Sequence, residues 1–267
     1  MMAIKLLAVD LDDTLLDKSS QVSPRCREAI KKAVEKGVTV TVATGRMYAA
    51  ALPFARQLEL DVPIITYNGA LIKSSLSGEV LFEQTLDQAV AADVLTLFRE
   101  RGWYIQVYVG DQLYIAEPNE RARIYENLTK VKAIPVGEDL YSMSEHVLKM
   151  LSLANENEIQ EISRVIQEKF KGKVFAPISR PTYLEIVHPS INKGRSLDFL
   201  AKQLGITRDE VMAIGDSNND LDMIEYAGLG VAMGNALPNV KAAANAVTLA
   251  NDEDGVAEAI YKYILAE

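Results

Sequence analysis

Ile4-Lys5-Leu6-Leu7-Ala8-Val9-Asp10-Leu11-Asp12-Asp13-Thr14 is a nearly unbroken apolar run that stops abruptly in carboxylates. A continuous apolar run of this length suits a strand of a parallel sheet, buried on both faces. Val38–Ala43 repeats the pattern and ends in Thr44-Gly45-Arg46, Pro63–Thr66 ends near Asn68-Gly69, and Val211–Ile214 ends in Gly215-Asp216. Gly228–Met233 and Ala246–Ala250 read as two further strands. Helices fit between them. Ser23 is a good N-cap with Pro24 at the first helical position, Ala29, Ile30, Ala33 and Val34 repeat on one face, and Gly37 closes the end. Tyr48–Leu58, Gly194–Leu204, Asp220–Ala227, Pro238–Ala244 and Gly255–Leu265 read as helices too. Such alternation indicates an α/β fold with an open, mostly parallel sheet and right-handed crossovers.

The middle of the chain has a different rhythm. Trp103–Val109 and Gln112–Ala116 flank Gly110-Asp111, a hairpin signal. Val147–Leu153 reads as a strand, Glu156–Phe170 as a helix, and Lys173–Ala176 with Tyr183–Val187 as a strand pair. The expected organisation is a discontinuous Rossmann-like core, 1–82 with 190–267, interrupted by an α+β module at 83–189. Leu81–Leu86 and Val187–Ile191 would be the linkers to that module.

Composition narrows the function. The 267 residues are 49% hydrophobic, enough for a proper core, and the formal charge of −9 argues against a nucleic-acid binder. No apolar stretch approaches a membrane span, and the N-terminal run meets acidic residues where a signal peptide needs a small-residue cleavage site. The single cysteine, Cys26, shares a helical face with Ile30 and Ala33; it rules out an intramolecular disulfide, favours the cytoplasm and reads as a core thiol. The two histidines, His146 and His188, read as structural or solvated, and Tyr104, Tyr108 and Tyr114 as sheet packing.

Chemistry-capable residues gather at the carboxyl ends of the expected strands, where open parallel sheets bind ligands. They are Asp10 and Asp12, Thr44, Lys193 at a helix start, and Asp216 with Asn219 and Asp220. Carboxylates crowded at one edge repel each other and call for a cation, and an all-oxygen donor set favours Mg²⁺. A helix start beside Thr44 and Gly45 suits a phosphate, and Lys193 supplies one positive charge for it. Read one at a time, these are also an acidic loop, a turn running into an N-cap, a capping threonine and a surface lysine.

In order, Asp10-Leu-Asp12-Asp-Thr14, Thr44-Gly45-Arg46, Lys193-Gly194 and Gly215-Asp216-x-x-Asn219-Asp220 resemble the four motifs of the haloacid dehalogenase (HAD) superfamily. The insert between the second and third is similar to the large cap, type C2B, of Cof-type (subclass IIB) phosphatases, as are Ala43-Thr44-Gly45-Arg46 and Tyr67-Asn68-Gly69-Ala70. The resemblance implies that Asp10 is the nucleophile and a Mg²⁺ ligand. It makes Asp12 the general acid/base, giving its main-chain carbonyl to the metal, and Asp216 the third protein ligand, with Asp220 behind it. Thr44, Gly45, Lys193, Asn219 and the main-chain N–H of Leu11 would hold the phosphoryl group. Arg46 would attract anions to the site or form a surface ion pair. Asp13 stands where the family usually has glycine, and no catalytic role is given to it. The implied activity is Mg²⁺-dependent hydrolysis of a small phosphorylated metabolite, a sugar phosphate foremost, by a monomer or weak homo-oligomer. The rivals are a phosphosugar mutase or other phosphotransferase, a non-catalytic phosphate-ligand binding protein, and a receiver-like module, against which the large insert speaks.

Overall fold

The computed structural model describes residues 3–59 and 62–266; Met1 and Met2, the start of the N-terminal run, lie outside it. The chain forms two compact units, residues 1–82 with 192–267 and residues 83–191.

The first unit begins with β1 (Leu6–Val9), all four residues buried, and continues through α1 (Pro24–Glu35) to β2 (Thr39–Val42). α1 starts where its sequence says it should: the Ser23 hydroxyl accepts the Cys26 N–H at 3.0 Å, and Cys26, Ala29, Ile30 and Ala33 form the buried face. Burial pushes the Cys26 thiol pKa up, which suits a packed side chain and not a reactive thiolate. α2 (Tyr48–Gln57) follows, then β3 (Pro63–Thr66), β4 (Leu71–Ser74) and β5 (Val80–Glu83).

The second unit contains α3 (Gln88–Arg101), β6 (Gln106–Val109), β7 (Gln112–Ile115), α4 (Glu120–Thr129), β8 (Ala133–Pro135), β9 (Val147–Leu153), α5 (Glu156–Lys169), β10 (Ile178–Arg180) and β11 (Tyr183–Ile186). Its strands lie in the order β10-β11-β9-β6-β7-β8. Every pair is antiparallel except β7 with β8. Alternate residues Val107, Met150, Leu184 and Ile186 share a core with Val94 and Phe98 of α3 and Ile159, Ile162 and Ile166 of α5. The period-2 pattern of these strands is what one helix-covered face requires.

The chain then returns to the first unit with α6 (Lys193–Gln203), β12 (Val211–Gly215), α7 (Leu221–Tyr226), β13 (Leu229–Ala232), α8 (Pro238–Ala243), β14 (Ala246–Val247) and α9 (Gly255–Ile260). The five-stranded sheet runs β14-β13-β12-β1-β2, parallel throughout. β1 and β12 pair in its middle, which explains why both are continuous apolar runs.

Two strand expectations need correcting. Pro63–Thr66 does not extend the parallel sheet as a full strand. It touches that sheet through one parallel bridge, Ala43 to Ile65, and pairs antiparallel with β4. α2 makes the crossover from β2, and the tight reversal at Tyr67-Asn68-Gly69 then turns the chain straight back into the antiparallel β4. Pro63–Thr66 is nevertheless a strand with the expected bounds, whereas Lys173–Ala176 is not a strand: Phe175 alone bridges Val187, and the partner of β11 begins after Pro177. Proline has no N–H for a ladder, so Pro177 pairs through its carbonyl alone, accepting the Glu185 N–H at 3.0 Å, and the regular strand begins at Ile178. The short strands β4, β5 and β8 were not anticipated.

Candidate active site

β1 ends at Asp10, whose N–H still bonds the Ile214 carbonyl of β12 at 3.0 Å. The next residues form one wide turn, closed by Leu15 N–H to Asp10 O (3.2 Å) and Leu16 N–H to Leu11 O (2.9 Å). Within it Asp13 takes φ 56°, the left-handed region. That is the conformational reason glycine is usual at this position, and aspartate is among the residues that tolerate it best. The turn buries Thr14 and directs its hydroxyl to donate to Asp216 Oδ1 at 2.9 Å.

β12 delivers Asp216 to the same edge. Asp220, fully buried, accepts the N–H groups of Asp216 and Ser217 on Oδ2 at 2.9 and 3.0 Å. A Cβ on Gly215 would lie 2.5 Å from the Asp220 carboxyl carbon, so glycine is what lets this carboxylate close onto the strand end. α6 begins with Asn192, whose side chain accepts the Arg195 N–H at 2.7 Å, and sets Lys193 inside the protein at 0% exposure. Lys193 Nζ donates to Asp10 Oδ1 and to Asp220 Oδ1, both at 2.6 Å.

Asp10, Asp216 and Asp220 each offer a carboxylate oxygen within 4.8 Å of the others. Burial pushes the Asp10 carboxyl well above its ordinary value, with Lys193 opposing and the neighbouring carboxylates adding to the rise. Burial likewise raises Asp216 to about 7, Asp220 adding to it and Thr14 countering. Burial would lower the Lys193 ammonium, but Asp10 and Asp220 more than reverse this and hold it above its ordinary range. Three carboxylates against one ammonium leave two negative charges uncompensated when all are ionised. A hard divalent cation on oxygen donors matches that excess in sign, size and ligand type, so this buried triad is suited to bind a metal.

The other site residues expected from the motifs lie in the same unit. Arg46 clamps Asp12 with Nε to Oδ2 at 2.8 Å and Nη2 to Oδ1 at 2.7 Å, and stacks over Phe54 with its guanidinium carbon 5.1 Å from the ring centroid. It therefore pairs with Asp12 itself, not with a distant surface carboxylate. Thr44, buried, accepts the Arg46 N–H on its hydroxyl at 3.1 Å, so it caps the loop it starts. Asn219 donates from Nδ2 to Asn68 Oδ1 at 3.0 Å and accepts from Ser217 on Oδ1, also at 3.0 Å. Leu11 is buried within the wide turn. Sequence reading missed Thr14 and Asn68 as members of this cluster. His188 bonds Ser190 Oγ at 2.7 Å through Nδ1, and His146 is exposed on the second unit.

A family model described as haloacid dehalogenase-like hydrolase matches residues 7–260. The chain belongs to that family. A curated relative, 5-amino-6-(5-phospho-D-ribitylamino)uracil phosphatase YcsE of Bacillus subtilis, is 35% identical over 98% of this chain and 96% of its own length. A solved HAD-like hydrolase of Bacteroides thetaiotaomicron superposes with a TM-score of 0.90 at 35% identity, covering 97% of this chain and 99% of the other. A HAD subclass IIB sugar phosphatase gives a TM-score of 0.82 at 26% identity over 98% and 100%. The chain is thus a HAD-family enzyme of the Cof-like branch whose relatives are named phosphatases, with the expected core and inserted α+β unit. Among the described residues, no helix is long and apolar enough to cross a membrane.

Proposed function

We propose that this HAD enzyme hydrolyses small phosphate monoesters, sugar phosphates foremost, through a phospho-aspartate on Asp10 with Mg²⁺ held by Asp10, Asp216 and the Asp12 carbonyl. The observation that carries this reading is the buried triad of Asp10, Asp216 and Asp220 with Lys193 Nζ 2.6 Å from two of them. Mg²⁺, when bound, offsets the charge that a phosphate dianion brings to a buried carboxylate.

The chain's own groups then have distinct tasks. An Asp10 carboxylate oxygen forms a bond to phosphorus as the ester P–O bond breaks, and the departing alkoxide takes a proton from Asp12. In the second half, water attacks the same phosphorus, its proton passes to Asp12, and Asp10 is released as a carboxylate with inorganic phosphate. Arg46 fixes the aim of Asp12 through two hydrogen bonds from a planar fork. Lys193, Thr44, Gly45, Asn219 and the Leu11 N–H hold the phosphoryl oxygens. Asp220 keeps Lys193 and the Asp216 backbone in place. Sugar phosphates are favoured because one matched structure is a sugar phosphatase and a matched relative is named for a phosphorylated ribityl compound. Selection of the leaving group is assigned to the inserted unit.

A phosphate-release panel of sugar phosphates, nucleotides and cofactor phosphates, with and without Mg²⁺, tests the reading. Turnover of at least one sugar phosphate that disappears on chelation supports it. Conversion of a phosphosugar to its isomer with little free phosphate contradicts it.

A further inference from the structure

The turn between β3 and β4 carries a cost that packing alone does not require. Tyr67 and Asn68 are consecutive non-glycine residues at φ 52° and 57°, and both are buried. Side chains in the left-handed region are disfavoured, and two in succession persist only where surrounding bonds over-determine them. Those bonds run to three separate segments of the candidate site. Tyr67 N–H donates to Arg46 O at 2.9 Å and Asn68 N–H to Thr44 O at 3.0 Å, which fastens the turn to the Thr44-Gly45-Arg46 loop. Gly69 O accepts from Ser196 Oγ at 2.8 Å, which fastens it to α6, the helix that starts with Lys193. Asn68 Oδ1 accepts from Asn219 Nδ2 at 3.0 Å, which fastens it to the loop after β12.

The neighbouring glycines fit this account. A Cβ on Gly45 would lie 2.9 Å from Asn68 Oδ1, so the carboxamide occupies the space that the missing side chain leaves. Gly69, at φ 107°, could carry no Cβ without colliding with Ser196 and the Asn192 carbonyl. The carboxamide orientation of Asn219 is set from both ends, by Ser217 on its oxygen and by Asn68 on its nitrogen.

We propose that Asn68 is a positioning residue: its carboxamide fixes Asn219, and its left-handed turn holds the Thr44 loop, the Lys193 helix and the Asn219 loop in one register for a phosphoryl group. The inference rests on the reading of Asn219 as a phosphoryl-holding residue. Asn68→Gly is the informative variant, because glycine keeps the left-handed backbone without strain and removes only the carboxamide.

The test is calorimetric binding of inorganic phosphate to the full chain with saturating Mg²⁺, for wild type, Asn219→Ala, Asn68→Gly and the double variant. Asn68→Gly is expected to raise the phosphate Kd roughly tenfold, about what one hydrogen bond to a charged ligand is worth. The double variant should be no weaker than Asn219→Ala alone, since both remove one coupled pair. A merely structural Asn68 would lower Tm and leave the phosphate Kd unchanged, and that result overturns the proposal. So do effects of the two variants that multiply independently. An unchanged Kd in Asn219→Ala removes the underlying reading along with this inference, whereas a weakened Asn219→Ala beside an unaffected Asn68→Gly overturns this inference alone. Ser196→Ala frees the same turn on the α6 side without touching Asn68. If Asn68→Gly does not fold, a phosphate Kd raised several-fold in Ser196→Ala supports the proposal and an unchanged one sinks it.

Discussion

Each of the two units buries a lysine, and the two lysines are kept in different ways. Lys193 in the first unit lies 2.6 Å from two carboxylates, within a cluster that holds more negative than positive charge. Lys149 in the second unit stands 3.8 Å from Glu185 and 5.0 Å from the centre of the Tyr108 ring, in a pair whose charges balance. A balanced buried pair is a structural device of modest net value, whereas an unbalanced one holds excess charge that a bound cation or proton uptake must neutralise. The contrast singles out the Lys193 cluster as the candidate site without reference to any motif.

The largest expected effect breaks the unbalanced side. Asp10→Asn should reduce turnover by at least about a thousandfold while leaving the circular dichroism spectrum native, because it removes the proposed nucleophile and one buried charge together. Wild-type turnover by that variant would eliminate Asp10 from the chemistry. Lys193→Met should both abolish activity and destabilise the fold by about 3–5 kcal/mol in the absence of metal, because Asp10 and Asp220 lose the ammonium they share. Denaturant midpoints in chelator read this directly, and a midpoint equal to wild type would contradict the charge account.

pH and Mg²⁺ give the next contrast. Burial raises Asp216 from its ordinary 3.8 to about 7, and raises Asp10 in the same direction. A carboxyl whose folded pKa is raised binds more protons folded than unfolded. Its stabilisation is complete below the ordinary value and is lost as pH climbs through the folded value. The metal-free protein should therefore lose Tm between about pH 4 and pH 7, and Mg²⁺ should restore more Tm at pH 8 than at pH 5.5. A Mg²⁺ effect independent of pH would show that these carboxyls are not where the ion binds. On the balanced side, Lys149→Met alone should lower Tm, and the joint Lys149→Met, Glu185→Leu replacement should recover most of the loss. Arg46→Lys should have the smallest effect, a fall in kcat of roughly tenfold with KM little changed, because a lysine cannot reproduce the two-bond fork on Asp12.

Much of this was legible in the sequence, for identifiable reasons. β1 and β12 are the middle of a parallel sheet, and that burial writes itself as the apolar runs Leu6–Val9 and Val211–Ile214, each followed closely by aspartate. Ser23-Pro24 announced α1 because capping is a local matter, settled within one turn. The failures were non-local. Tyr67-Asn68-Gly69 reads as a turn, but nothing in it reports that Asn68 meets Asn219, 151 residues later. Thr14 looked like the end of a motif, and its bond to Asp216 spans 202 residues. Arg46 reads equally as an anion-attracting residue or a surface pair, because sequence does not say which of many carboxylates a long side chain reaches. Pro177 is an exception. Its missing N–H was available as a signal, and weighing it would have moved the strand beyond Ala176 to where it lies.

The central claim is that Asp10 carries the phosphoryl group between substrate and water. Rapid acid quench of a radiolabelled sugar phosphate with excess enzyme and Mg²⁺ addresses it most directly. Label bound to the protein within the first turnover, discharged by hydroxylamine, lost on chelation and absent from Asp10→Asn, is the predicted result. Full substrate consumption with no protein-bound label at any quench time, or label on a residue other than Asp10, would contradict it.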